Sequence, residues 1–371
     1  MRSVKFFFFC LVIATLTACD NESGSEKVDF DREAFLVNMA DQVVRPSIEN
    51  FATKAEVLTS ASVAFNEDVS ESNLSGFRDA LKATWLSYQH LAFVQVGPVA
   101  TVNLRDRVNI FPTSVEKIEE NITSGNYTLG AASNVAAKGF PALDYLLFGT
   151  GISEADVVAY FADQELGPNR KEYLQALVAD IQSVATSMAG SWGDYRSGFV
   201  ENLGTDAGSG TSLLVNEFNF QFDIRIKNAK IGFPSGGNPR TGGILSPEKV
   251  EAYYSAWSGE LAEAAVKASL AVFKGENFTS GENGLGMDDY LTALDAKTRD
   301  DEDLSTVIIN QINASLDEME KIDEPYSVVA SQEGSQLVTV YNALQAVIPL
   351  IKVDMPSAMS VSITFQDNDG D

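Results

Sequence analysis

The chain has 371 residues, 45% of them hydrophobic, enough for one large domain or two of ordinary size with substantial cores. Asp and Glu number 52 against 26 Lys and Arg, a formal net charge of −26 that repels nucleic acid and attracts cations. Two cysteines and a single histidine, His90, leave little for thiolate catalysis, cysteine-type zinc sites or paired-histidine zinc motifs.

The first residues address the chain to the cell envelope. Arg2 and Lys5 precede a short apolar run, and Leu16-Thr17-Ala18-Cys19 resembles a bacterial lipobox. The run is too short for a comfortable transmembrane helix and ends in small residues, as a signal peptide does. Residues 1–18 are therefore expected to be removed, Cys19 to carry the lipid anchor, and residues 19–28 to form a polar tether. Cys10 leaves with the leader, so the mature domain has no free thiol. The expected location is the outer membrane, on its periplasmic or its surface face.

Apolar spacing then predicts helices almost throughout. The first covers 30–65, with a kink at Pro46, and the next carries Leu74, Phe77, Leu81, Trp85 and Tyr88 before Gly97-Pro98 stops it. His90 falls on this helix and reads as an exposed or rim residue. A helix over 131–148 follows, and Tyr173, Leu177, Ile181, Val184, Met188 and Trp192 make a later stripe. Gly167-Pro168 marks a break, dividing a bundle over 29–165 from one over 166–371.

Residues 218–226 alternate like a strand but also step at helical spacing, and the helical reading ends near Gly232-Phe233-Pro234. As a helix this segment gathers Asp223, Lys227 and Lys230, either to line a polar cleft for an anionic group or as an ion-pair ladder on an exposed edge. The Gly/Pro-rich stretch 232–243, with Arg240, is a loop. Ser246-Pro247-Glu248 reads as a helix start, with Val250, Tyr253, Trp257, Leu261 and Ala264 following on one face. Leu304 to Met319 and Leu337 to Ile351 supply two more stripes. Residues 360–365 alternate, and Asp367, Asp369 and Asp371 resemble the opening of a calcium loop without its twelve residues and closing Glu. The fold class expected is all-α, built as helical bundles.

The most informative stretch is Gly139-Phe140-Pro141-Ala142-Leu143-Asp144-Tyr145-Leu146-Leu147-Phe148-Gly149. Pro suits a first helical turn, where its missing N–H removes no helix bond. Asp144 among Phe140, Leu143, Leu146 and Leu147 must be paired, hydrogen-bonded or protonated, with Lys138, Lys227 and Lys230 as available counter-charges.

This stretch resembles the Gly-x-His-x-x-Glu signature of the imelysin-like family, with Gly139 kept, Pro141 in the His position and Asp144 in the Glu position. The segment Lys227-Asn228-Ala229-Lys230-Ile231-Gly232-Phe233-Pro234 and the acidic terminus extend the resemblance. It implies two helical-bundle domains packed together with a site in the cleft between them, an envelope location and a link to iron uptake. The ligand-binding residues expected are Gly139, Pro141, Asp144, Tyr145, Asp223, Lys227 and Lys230, with Asp144 as the metal ligand. Oxygen donors such as Asp144 and Tyr145 suit ferric iron.

The expected function is a membrane-anchored binding lipoprotein for iron, haem or another small ligand. The family name offers a metallopeptidase instead, for which Pro141 and the lone His90 supply poor donors. A third reading is a non-enzymatic adaptor for an outer-membrane transporter.

Overall fold

Residues 30–365 are described by the structure, a computed structural model. The expected leader, the expected lipidation site Cys19, the expected tether and the acidic residues 366–371 lie outside that range. Helices account for the regular structure, and the only pairings of strand type among the described residues are two isolated bridges, Glu276 with Asn283 and Lys297 with Asp303.

The opening rod runs from Arg32–Asn38 through a π-helical turn, Met39–Val44, into Arg45–Glu67. The widened turn comes just before Pro46, whose ring and missing N–H disturb the preceding helical ladder. Ser70 caps the next helix, Glu71–Leu91, by accepting from the Asn73 amide. Its stripe Leu74, Phe77, Leu81, Trp85 and Tyr88 is buried against Arg45–Glu67. The 35-residue helix Gly167–Glu201 begins where the domain boundary is expected and also lies along Arg45–Glu67.

Later in the chain, Leu304–Met319 packs on Gln336–Pro349, which in turn packs on the 221–232 segment. Ser258–Phe273 touches Glu71–Leu91, joining early and late helices. The helix over Gln336–Ala358 is long and apolar enough to span a bilayer by composition. Here its Leu337, Val340, Leu344, Val347 and Ile351 are buried in the protein core.

The ambiguous stretch is helical: Gly210–Phe220 is α and Gln221–Gly232 is π. Phe218 and Phe222 face the core, whereas Phe220 is half-buried beneath the Arg105 guanidinium, 4.6 Å from its ring. A cation covering an outward ring explains why the polar–apolar alternation imitates a strand.

Two expectations about local structure are corrected. The helix expected over 131–148 is three pieces: a 3₁₀ segment Ala132–Ala137, a short α-helix Gly139–Asp144 and a π-turn Tyr145–Gly149. Gly139 causes the break with φ +72°, where a Cβ would lie 2.3 Å from the Val108 carbonyl oxygen. The start signal at Ser246 yields one 3₁₀ turn, Pro247–Lys249, and the next helix begins only at Ser258. Between them Ala252 and Ala256 take φ of 52° and 62°, which no helix accommodates. The alternating residues 360–365 form no strand; Thr364 N donates to Asn216 Oδ1 at 2.6 Å and Asn216 Nδ2 donates to the Ser362 carbonyl at 3.0 Å.

Gly139→Ala must strain a left-handed residue and push on backbone at once. A loss of at least about 2 kcal/mol is expected in urea unfolding, and an unchanged midpoint would refute the close approach.

Candidate functional site

Asp144 closes the short α-helix that Gly139 opens, and it is 1% exposed. Pro141 stands in the first turn of that helix, where the N–H it lacks has no intrahelical partner to lose. The partners of Asp144 are backbone amides from the irregular loop over 250–257: Tyr254 N donates to Asp144 Oδ2 at 2.9 Å and Ser255 N to Asp144 Oδ1 at 3.0 Å. The left-handed Ala252 and Ala256 flank these amides, so strained backbone directs both N–H groups onto one carboxylate. Burial pushes Asp144 up to about 6, with the nearby Glu251 charge adding to it and the Ser255 and Tyr254 hydrogen bonds opposing it.

The same loop is held from its other side by Glu251, itself 1% exposed. Its Oε1 accepts from Asn109 Nδ2 at 2.7 Å and from Trp85 Nε1 at 3.2 Å, and its Oε2 accepts from the Lys230 ammonium. Trp85 also donates to Asn109 Oδ1 at 3.0 Å. One carboxylate thus gathers a helix, the end of the Leu104–Val108 turn and the π-helical segment around the loop that caps Asp144. Burial drives Lys230 below the usual lysine range, and Glu251 partly restores it.

Between this loop and the signature lies a cleft of about 310 Å³. Phe111, Pro112, Pro141, Tyr253 and Tyr254 form its apolar walls, and Asp144 and Glu248 are its acids. Gly149 ends the π-turn that follows, where the Tyr254 ring leaves no room for a side chain: a Cβ there would lie 2.5 Å from Tyr254 Cδ1. Arg78 donates to the Leu147 carbonyl through Nε at 3.0 Å and Nη2 at 2.6 Å, satisfying the π-turn.

The expected site residues fall into separate groups. Gly139, Pro141 and Asp144 stay together at the cleft. Tyr145 meets Tyr254 edge-on at 5.3 Å, but its hydroxyl donates to Glu119 at 2.7 Å, an acid that Tyr160 also reaches at 2.9 Å. Burial and the Glu119 carboxylate hold the Tyr145 phenol well above its ordinary range. Asp223 and Lys227 pair at 2.6 Å, and Gln345 accepts from Lys227 at 2.8 Å.

These helical charges are not an exposed ladder, since Asp223, Lys227 and Lys230 are all buried. Nor do the three form one cluster, because Lys230 turns to Glu251. His90, expected to be exposed or at a rim, is half-buried and stacks on Phe278 at 4.1 Å; burial pushes it down to about 4, so it is neutral at pH 7.

Glu251, Asn109 and Trp85 were not legible as site residues. Glu251 reads as one polar position of an ordinary helix, and only the failure of that helix reveals it. Among the described residues no group of three His, Cys, Asp or Glu side chains could hold a metal ion. Both Asp144 oxygens already accept amides. This donor set does not fit a resident metal.

A helical protein with a buried carboxylate pinned by a neighbouring loop defines the class. The imelysin family profile (peptidase M75) matches residues 44–350, and the chain belongs to that family. Among solved structures it is similar to an imelysin-like protein from Psychrobacter arcticum 273-4, with TM-score 0.67 and 16% identity, covering 90% of this chain and 97% of that one. It is also similar to a candidate iron-regulated protein A precursor from Parabacteroides distasonis ATCC 8503, with TM-score 0.66 and 16% identity, covering 88% and 94%. No curated protein matches the chain.

Two outcomes follow from this arrangement. Lys230→Met leaves the Glu251 charge buried and unpaired, so urea unfolding is expected to show a loss of about 3–5 kcal/mol, with part regained on adding Glu251→Gln. The Asp144 value near 6 lies above its ordinary 3.8, so the native state holds that proton more tightly. Its contribution is full below the ordinary value and is lost as pH rises through 6. Relative to Asp144→Asn, the wild type is expected to lose up to about 3 kcal/mol between pH 4 and 7; parallel stability curves would contradict this.

Proposed function

We propose that this protein is a membrane-anchored binding lipoprotein of the cell envelope, holding a small ligand in the cleft beside Asp144. The cleft carries the reading: aromatic and proline walls with a few fixed polar groups are the usual make-up of a small-ligand site. Each Asp144 oxygen accepts one amide hydrogen and keeps further acceptor capacity for a donor on the ligand. Asp144 and Glu248 favour a ligand that presents N–H, O–H or positive charge.

The ligand we favour is iron arriving as a complex, or haem, in keeping with the iron-regulated name of the Parabacteroides structure. Because the cleft does not bring a ready set of metal donors, the complex supplies the metal's ligands and the protein recognises its periphery. Lipidation at Cys19 would keep the domain at the outer membrane, beside a transporter that receives the cargo.

The test is calorimetric titration of the mature chain with ferric citrate, ferrous iron, haem, zinc and calcium. Tyr253, on the cleft wall and 42% exposed, can be replaced with little risk to folding. Saturable binding of ferric citrate or haem, weakened about tenfold or more by Tyr253→Ala, is expected. No binding of any of these would move the assignment to the adaptor reading.

A further inference from the structure

A second pocket opens on the other side of the Phe111-Pro112 wall, with a volume of about 460 Å³. Phe111, Pro112, Ile224 and Phe233 give it an apolar body. Its charged residues are Arg225 and Lys249, and no acid lines it, in a chain with twice as many acidic as basic residues. Glu248 and Lys249 are neighbours on one 3₁₀ turn, yet Glu248 serves the Asp144 cleft and Lys249 this one. The two clefts therefore have opposite polarity across a shared wall.

Arg225 is the underused group. Its contact with an acid is Asp106 at 3.7 Å, beyond a good hydrogen bond, and the Asp106 side chain is 43% exposed. Its Nε is buried without a partner. Arg105, by contrast, is committed to Glu217, and both guanidiniums lie over the Phe220 ring. Burial and the Arg105 charge press Arg225 below the usual arginine range, partly offset by Asp106 and Glu217. A guanidinium with spare donors, a second cation and apolar walls suit one class of ligand.

We infer that this pocket binds an organic anion, an apolar body carrying one carboxylate or phosphate group held by Arg225 and Lys249. The apolar body lies against Phe111, Ile224 and Phe233, while the anion takes the guanidinium donors that Asp106 leaves open. The site is independent of the ligand proposed for the Asp144 cleft.

The experiment is a calorimetric titration of the mature chain with hexanoate, hexyl phosphate, inorganic phosphate and hexylammonium. Arg225→Gln, Lys249→Gln and Tyr253→Ala are titrated beside the wild type. Hexanoate or hexyl phosphate is expected to bind saturably and more tightly than inorganic phosphate, with hexylammonium not competing. The stronger of the two anions identifies the head group. Arg225→Gln and Lys249→Gln should each weaken binding about tenfold or more, and Tyr253→Ala should leave it unchanged. Lys249 is exposed, so its variant keeps the test valid if Arg225→Gln folds poorly. Absence of anion binding, equal binding of hexylammonium, or indifference to both charge variants would overturn the inference.

Discussion

The buried pair of Lys230 and Glu251 is the interaction on which the site depends. Two charges removed from water are tolerable only when each meets an opposite charge and further hydrogen bonds. Glu251 meets that condition through Lys230, Asn109 and Trp85, which come from three distant parts of the chain. The loop it anchors can then hold two left-handed alanines and present consecutive amides to Asp144. Without the anchor, nothing would offset the backbone strain, and Asp144 would be a buried carboxyl without donors.

This arrangement explains how a family signature can persist with altered chemistry. Proline cannot ligate a metal, and Asp144 has a shorter reach than Glu. Both suit a different task here: Pro141 forms cleft wall, and Asp144 bonds a loop brought close to it. Gly139 and Gly149 answer steric demands, one turning against Val108 and the other lying beneath Tyr254. The signature in this chain is thus a structural junction whose polar atoms also line a cleft.

The polarity of the two clefts follows from local crowding rather than from overall charge. An acidic chain repels anions at long range, but that repulsion is screened over about 8–10 Å. A short-range pocket with Arg225 and Lys249 can therefore act against the net charge. Phe111 and Pro112 line both clefts and stand as a wall between the acids of one and the cations of the other.

Much of the helical architecture was legible in the sequence. Stripes such as Leu74 to Tyr88 and Leu304 to Met319 are set by local periodicity and bury the same faces in the fold. The signature and its carboxylate were legible too, because an acid among leucines must find partners. The partners themselves were not. Ser246-Pro247-Glu248 looks like a helix start by local rules, and the chain departs from it where Glu251 meets Lys230, Asn109 and Trp85. The sequence by itself determined the all-α class, the main helices and the need to satisfy Asp144. Only the tertiary structure decided which groups satisfy it, because those hydrogen bonds join residues more than a hundred positions apart.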